Sequence, residues 1–351
     1  MHIPDGYLSP STCATLYAAS VPFWWVSLRK LKRVLHSRAI PLLSVFSAFT
    51  FVVMMFNLPL PGGTTGHAAG IGISAIILGP WGAMLALSVA LAIQALFFGD
   101  GGVTALGANC FNMAVAGSLT AWFCYRALAG NSPIASRRRV VAAGAAGYLS
   151  INVAALLAAV EFGIQPMFFR DASGAPLYCP YPLRVAVPAM MLGHLTIAGL
   201  AEMVLTAGLV AWLQRSHPSL LGATAPSPDH HSGWRSLRPL LAGLTALLLA
   251  TPIGILAVGT AWGEWGSADL AEPAARQAIV AASGNHPLPV EVPQGLERLS
   301  TVWTAPIPDY APAFLKSASF GYLLSAVFGV GLILFAAIVV EWMIARRRLV
   351  G

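Results

Sequence analysis

The chain opens MHIPDGYLSP, and a second histidine follows a glycine-rich turn in PGGTTGHAAG. A histidine placed directly after a free terminal amine is a chelating unit. The amine of Met1, the peptide nitrogen of His2 and the His2 imidazole Nδ1 can close on one metal ion through a five-membered and then a six-membered ring. Fused rings of this kind favour a near-planar arrangement with one in-plane position left over, and His67 is the candidate for it. Four nitrogens in a plane suit Ni(II) or Cu(II), and less exclusively Co(II). The amine and the amide must give up protons to bind, so such a site takes up metal better as pH rises.

Other residues could support this chemistry. Asn109 and Asn112 lie three apart, the spacing of one helical face, beside the turn FFGDGG. They are expected either to orient an imidazole by accepting a hydrogen bond from its N–H or to cap or bridge helices. Asp100 in that turn reads as a turn or cap residue, with attraction of the cation as its alternative role. His194 and Glu202 are eight apart, about two helical turns. Inside a bilayer both must face protein or water, and helix-to-helix hydrogen bonding is expected of them, with direct metal ligation as the alternative. Cys13, Cys110, Cys124 and Cys179 show no CxxC spacing and read as small apolar residues.

The elements that must position these residues are membrane helices. The chain is 57% hydrophobic and 9% charged, with a mean hydropathy of +0.73, where soluble domains carry about 25% charged residues. A soluble enzyme is excluded, and an all-α integral membrane fold is expected. Candidate spans fall near 11–28, 39–57, 67–79, 80–98, 106–128, 140–163, 185–213, 239–259 and 319–344. The third is short and is split from the fourth by Gly79-Pro80, the mark of a half-helix or a tight break.

Basic clusters fix the orientation. RKLKRVLHSR follows the first span, Arg137 to Arg139 the fifth, Arg215 the seventh, and Arg346 to Arg348 close the chain. The positive-inside rule makes all these ends cytoplasmic, with the amino terminus outside and the carboxyl terminus inside. The external segments then carry five basic residues against ten acidic ones, Asp100, Glu161 and Glu264 among them. An acidic mouth concentrates cations. The formal charge of +7 therefore belongs to the inner face, and no nucleic-acid partner is expected. The first ten residues lack the basic and apolar regions of a cleavable signal, so the amino terminus is expected to be the mature one.

The division expected is a seven-span core over 1–215, a polar cytoplasmic linker over 216–238 containing Asp229, His230 and His231, and a two-span extension over 239–351. A GxxxxGK[ST] loop is absent, as is HExxH, so the chain hydrolyses no ATP by itself and is no metalloprotease.

MHIPDGYLSP closely resembles the opening of the CbiM/NikM family, the substrate-binding membrane subunits of energy-coupling-factor (ECF) transporters for cobalt and nickel. GHAAG fits the family's second histidine motif, QALFFGDGGVTALGANCFNMAVAG (94–117) is similar to its most distinctive internal stretch, and GHLTIAGLAE (193–202) matches in kind. PQGLERLSTVW (293–303) and PIPDYAPAFLKSASFG (306–321) resemble a PDGLE, or NikN-like, extension, with Gln294 in place of the motif's aspartate. The resemblance implies that the metal is held by the amine of Met1, the backbone nitrogen and imidazole of His2, and His67. It also implies Ni2+ or Co2+ as transported substrate with no permanent cofactor, and a bacterial-type plasma membrane. The implied partners are a transmembrane coupling subunit and ATPase subunits. The competing reading is a stand-alone metal channel or secondary transporter, which low-affinity uptake by this chain alone would mark out.

Overall fold

The computed structural model describes residues 1–34, 39–221 and 238–350. Most of the expected linker, with Asp229, His230 and His231, lies outside the described residues. Helix α1 (Pro10–Val34) starts where its sequence says it should. Proline suits the first helical position, and the Ser9 hydroxyl caps the turn by accepting from the Thr12 N–H at 3.2 Å. Residues 1–9 are thereby left as a non-helical arm.

Helix α2 (Ala39–Met54) is followed by an antiparallel hairpin of β1 (Leu58–Leu60) and β2 (Thr64–Gly66), with Pro59 opposite Thr65. Helix α3 (Ile71–Ile93) continues through a π turn, Gln94–Phe98. The short α4 (Leu106–Asn109) passes through another π segment, Cys110–Gly117, into α5 (Ser118–Ala129). Next come α6 (Arg137–Phe168) and α7 (Leu183–Gly193), the latter joined by a π turn to α8 (Gly199–Ser216) and the one-turn α9 (Pro218–Leu221). The extension holds α10 (Arg238–Ala250), three short helices α11 (Ser267–Ala271), α12 (Pro273–Ala282) and α13 (Gln294–Ser300), and α14 (Ala318–Val350).

Among the described residues, five helices are long and apolar enough to cross a membrane: Ile71–Phe98, Arg137–Phe168, Leu183–Ser216, Arg238–Leu256 and Ala318–Val339. Three expected spans fall outside this set, and one of them, near 39–57, forms α2, apolar but only 16 residues long. In α1 the serines, threonines, Tyr17 and terminal basic residues dilute the apolar run. The segment 106–128 is divided by its π winding, which leaves α5 only 12 residues long.

The stretch Ile71–Phe98 is not a straight rod. At 28 residues a continuous helix would be about 42 Å long, yet His67 before it and Asp100 after it both lie against the His2 ring. The chain folds back at Gly79, whose φ of 69° and ψ of 170° fall in a region open essentially to glycine alone. Pro80 restarts the helix. Lys30 lies 4.3 Å over the Trp81 ring, Trp24 donates to Ser88 at 2.9 Å and Tyr17 donates to the Val103 carbonyl at 2.6 Å. Residues 80–98 therefore run antiparallel to α1, from its basic end back to the arm. The first half, 71–78, begins in the interior of the bundle, with Gly72 packed on Gly147 of α6 and Thr206 of α8. Residues 67–70 of the expected third span are not helical.

Candidate metal centre

The arm formed by residues 1–9 runs into the core, with Met1, His2 and Ile3 exposed by only 3%, 1% and 0%. Backbone groups in such a place need partners, and Asn109 supplies two. Its Oδ1 accepts from the Ile3 N–H at 2.8 Å and its Nδ2 donates to the Ile3 carbonyl at 3.1 Å. The Gly102 N–H adds a bond to that carbonyl at 2.8 Å. Asp5 accepts from the Val103 and Thr104 N–H groups at 3.0 and 2.7 Å and from the Thr104 hydroxyl. The approach is so close that a Cβ on Gly102 would overlap the Asp5 backbone, which is why this turn needs glycine.

This clamp holds His2 beside His67, with ring centroids 5.0 Å apart and planes inclined by 32°. The His67 Nδ1 donates to the Ala68 carbonyl at 3.0 Å, which leaves Nε2 as the nitrogen with a lone pair. The His2 Nδ1 meets the Asp100 carboxylate, and its Nε2 is buried without a hydrogen-bond partner. The Met1 amine donates to Glu264 Oε1 at 2.8 Å. Ligand atoms of His2, Asp100 and Glu264 all lie within 4.8 Å of one another.

Asp100 is held from three sides. Gln94 donates to its Oδ2 at 3.0 Å, the Tyr310 hydroxyl donates to the same oxygen at 2.6 Å, and His2 faces Oδ1. Burial alone would raise this carboxyl, but the His2 ring beside it, then His67 and the Tyr310 hydroxyl, hold it below the usual carboxylate range. Tyr310 stacks on Phe98 at 4.6 Å. It follows Asp309, and both residues have positive φ, 58° and 54°. That conformation is uncommon outside glycine and costs of order 1–3 kcal/mol where it is strained.

The structure thus brings together Met1, His2, His67 and Asp100, with Asn109 fixing the arm. Of the two roles expected of the asparagines, neither residue bonds an imidazole and both bridge elements instead. Asn109 serves the Ile3 peptide, while Asn112 donates to Glu161 at 2.8 Å. The π winding that begins at Cys110 breaks the α-helical register on which a shared face depends. Glu161, counted with the outer acidic residues, is buried in α6 at 7% exposure. His194 donates through Nδ1 to the Met190 carbonyl of its own helix at 2.8 Å. Glu202 bonds not to another side chain but to backbone at the start of α3.

Glu264 and Tyr310 were not legible as site residues. They belong to the extension, 263 and 210 residues from their partners Met1 and Asp100, and neither the motif that contains Tyr310 nor the place of Glu264 among the outer acidic residues says which core residue each would meet. The extension reaches the arm because Thr65 of the hairpin bridges Ala261 and donates to the Thr260 carbonyl at 3.3 Å.

Apolar helices around a buried terminus beside two histidines and two carboxylates define a multi-pass membrane protein with groups able to hold a metal ion at its centre. The chain belongs to the CbiM family, described as the cobalt uptake substrate-specific transmembrane region, which matches residues 2–220; the PDGLE domain matches 238–346. It is 60% identical over 333 residues, 95% of each chain, to the fused nickel transport protein NikMN of Rhodobacter capsulatus. It is 43% identical over 329 residues, 93% of each chain, to the probable fused nickel transport protein LarMN of Lactiplantibacillus plantarum. A crystal structure of a truncated transition metal transporter is 48% identical with a TM-score of 0.58, covering 62% of this chain and 100% of that one. These relatives are metal transport proteins, not enzymes.

Proposed function

We propose that this chain is the substrate-specific component of an ECF-type ABC transporter that imports nickel or cobalt. The ion is captured at the outer face by four nitrogens in a plane: the Met1 amine, the His2 amide nitrogen and Nδ1, and His67. One observation carries this reading. The His2 and His67 rings meet 5.0 Å apart over a first residue that is itself buried, so the chelating unit and its fourth ligand share one enclosed place.

The chemistry also sets what must move. Chelation needs an unprotonated amine and a free Nδ1, and here Glu264 holds the first and Asp100 the second. The incoming ion displaces both contacts, and the two carboxylates receive the released protons or pass them to water. The basic clusters, cytoplasmic by the positive-inside rule, support an outer position for the arm. The proposed division is a core over 1–215, a linker over 216–238 and an extension over 239–351, in a bacterial-type plasma membrane. A coupling subunit and ATPase subunits supply the energy, because the chain has no phosphate-binding loop of its own.

The test is calorimetry with Ni(II) and Co(II) on the full chain with a native amino terminus, beside a form carrying two residues before Met1. Tight binding by the native form alone is expected, and the affinity ratio ranks the metals. Equal binding by both removes Met1 from the ligand set.

A further inference from the structure

Helix α3 begins inside the bundle, where its first N–H groups have no partners within the helix and present roughly half a positive charge. Unanswered, that positive end would oppose a cation held a few residues earlier in the chain. It is answered by Glu202 of α8, which is fully buried at 0% exposure. Its Oε2 accepts from the Ala69 N–H at 2.8 Å and the Gly70 N–H at 2.9 Å, and its Oε1 accepts from the Gly72 N–H at 3.0 Å. Both oxygens act as acceptors, the pattern of an ionised carboxylate.

One of these bonds lies in line with His67. The Ala68 carbonyl that accepts from His67 Nδ1 and the Ala69 N–H that donates to Glu202 belong to the same peptide group. A carboxylate is thus connected to the imidazole through a single peptide unit. Hydrogen bonds in such a chain polarise one another. In metal sites, a carboxylate behind the imidazole fixes the tautomer and makes the metal-facing nitrogen a better donor. The start of α3 is packed so closely against α6 and α8 at this point that a Cβ on Gly72 would lie 2.6 Å from the Thr206 hydroxyl and 2.8 Å from the Gly147 Cα.

We propose that Glu202 is a positioning residue of the metal centre, acting on His67 through the Ala68–Ala69 peptide and neutralising the buried start of α3 without touching the ion. The proposal rests on His67 being a ligand.

The experiment uses the purified full chain as native protein, Glu202→Gln, Glu202→Asp and His67→Ala. Ni(II) affinity is measured by chelator competition, the ligand-field absorption of the bound ion is recorded, and folding is checked by circular dichroism. Glu202→Gln is expected to fold and to lose about 10–100-fold in affinity, as partners behind a ligand usually do. Its absorption band should move to longer wavelength, the sign of a weaker imidazole donor. A folded Glu202→Gln with native affinity and a native band overturns the proposal. If that variant does not fold, Glu202→Asp decides. It keeps the charge but shortens the reach, so affinity between native and His67→Ala is expected, and native affinity with a native band overturns the idea. Native affinity in His67→Ala refutes the ligand reading itself, a result separable from failure of the Glu202 role.

Discussion

Replacing Glu264 by glutamine should tighten nickel binding, although it removes a negative charge from beside a cation site. The amine of Met1 and Glu264 Oε1 are 2.8 Å apart, with side chains exposed by 1% and 19%. A hydrogen bond with a charged partner contributes about 1.5–3 kcal/mol and a neutral one about 0.5–1.5 kcal/mol. Glutamine would still accept from the charged amine, so the bond stays charge-assisted and the ion-paired form loses only the attraction between full charges, about 1 kcal/mol for a partly exposed pair. The metal-bound form is spared most of that, because its amine is on the metal.

Longer-range attraction decides nothing between the two forms. The ion brings two positive charges and chelation expels the amide proton, so the site gains a net single charge where the ammonium had one. The difference thus appears as affinity, about fivefold tighter at fixed pH. Competition titration against a chelator measures it directly. Thermal unfolding supplies the companion signature, with Glu264→Gln melting lower than native protein without nickel and the gap narrowing at saturation. A tenfold loss of affinity would refute the reasoning, since Glu264 would then be attracting or binding the ion rather than holding the amine.

Three further outcomes are expected. Gly79→Ala should cost about 1–3 kcal/mol in thermal or chemical unfolding, from backbone alone, since nothing lies within 4 Å of the new Cβ; a neutral result would mean the fold-back is not fixed at this residue. Tyr310→Phe should keep the stack on Phe98 but lose the 2.6 Å bond to Asp100, a loss of about 1.5–3 kcal/mol visible in melting of the full chain. Asp309 has its carboxyl raised by loss of surrounding solvent, then by the charges of Asp100 and Asp269. A raised carboxyl penalises the folded state at neutral pH and stops doing so as pH falls until the group is protonated in both states. Asp309→Asn should therefore melt slightly higher at neutral pH, by less than about 1 kcal/mol after solvent screening, with the gain vanishing in acid. Asparagine also tolerates the positive φ found there.

What could be read from sequence was whatever covalent geometry or hydropathy fixes locally. The ring sizes of a Met1-His2 chelate depend on bonds within two residues, so the donors were legible before any fold was known. Gly79-Pro80 marked the break because glycine and proline restrict or free the backbone by themselves. The choice between an imidazole partner and a bridging role for the asparagine pair could not be made from sequence, because a π segment is a backbone irregularity with no residue signature. Asn109 clamps Ile3 and Asn112 turns to Glu161. Glu202 stood out as an ionisable group in an apolar helix, but its partners are peptide N–H groups, and every residue except proline has one.

The same contrast bears on why core and extension are joined in one chain. The chelating unit can be written into two residues, but it is basic, and left alone inside an apolar bundle it would hold an unpaired ammonium. Burial of a charge requires a partner, and the core places Asp100 against His2 while leaving the amine to Glu264 of the extension. Tyr310 then ties the extension to Asp100 itself. Under the proposed chelation both contacts lie on groups that an arriving ion displaces, which would couple the extension to metal occupancy. Changes in Glu264 and Tyr310 should therefore interact with changes in His2 or Asp100 rather than add to them, as residues in one hydrogen-bond network do. A double-mutant cycle between Tyr310→Phe and Asp100→Asn, read in nickel affinity, would show an interaction energy above about 0.5 kcal/mol if the coupling is real and simple additivity if the extension merely covers the site.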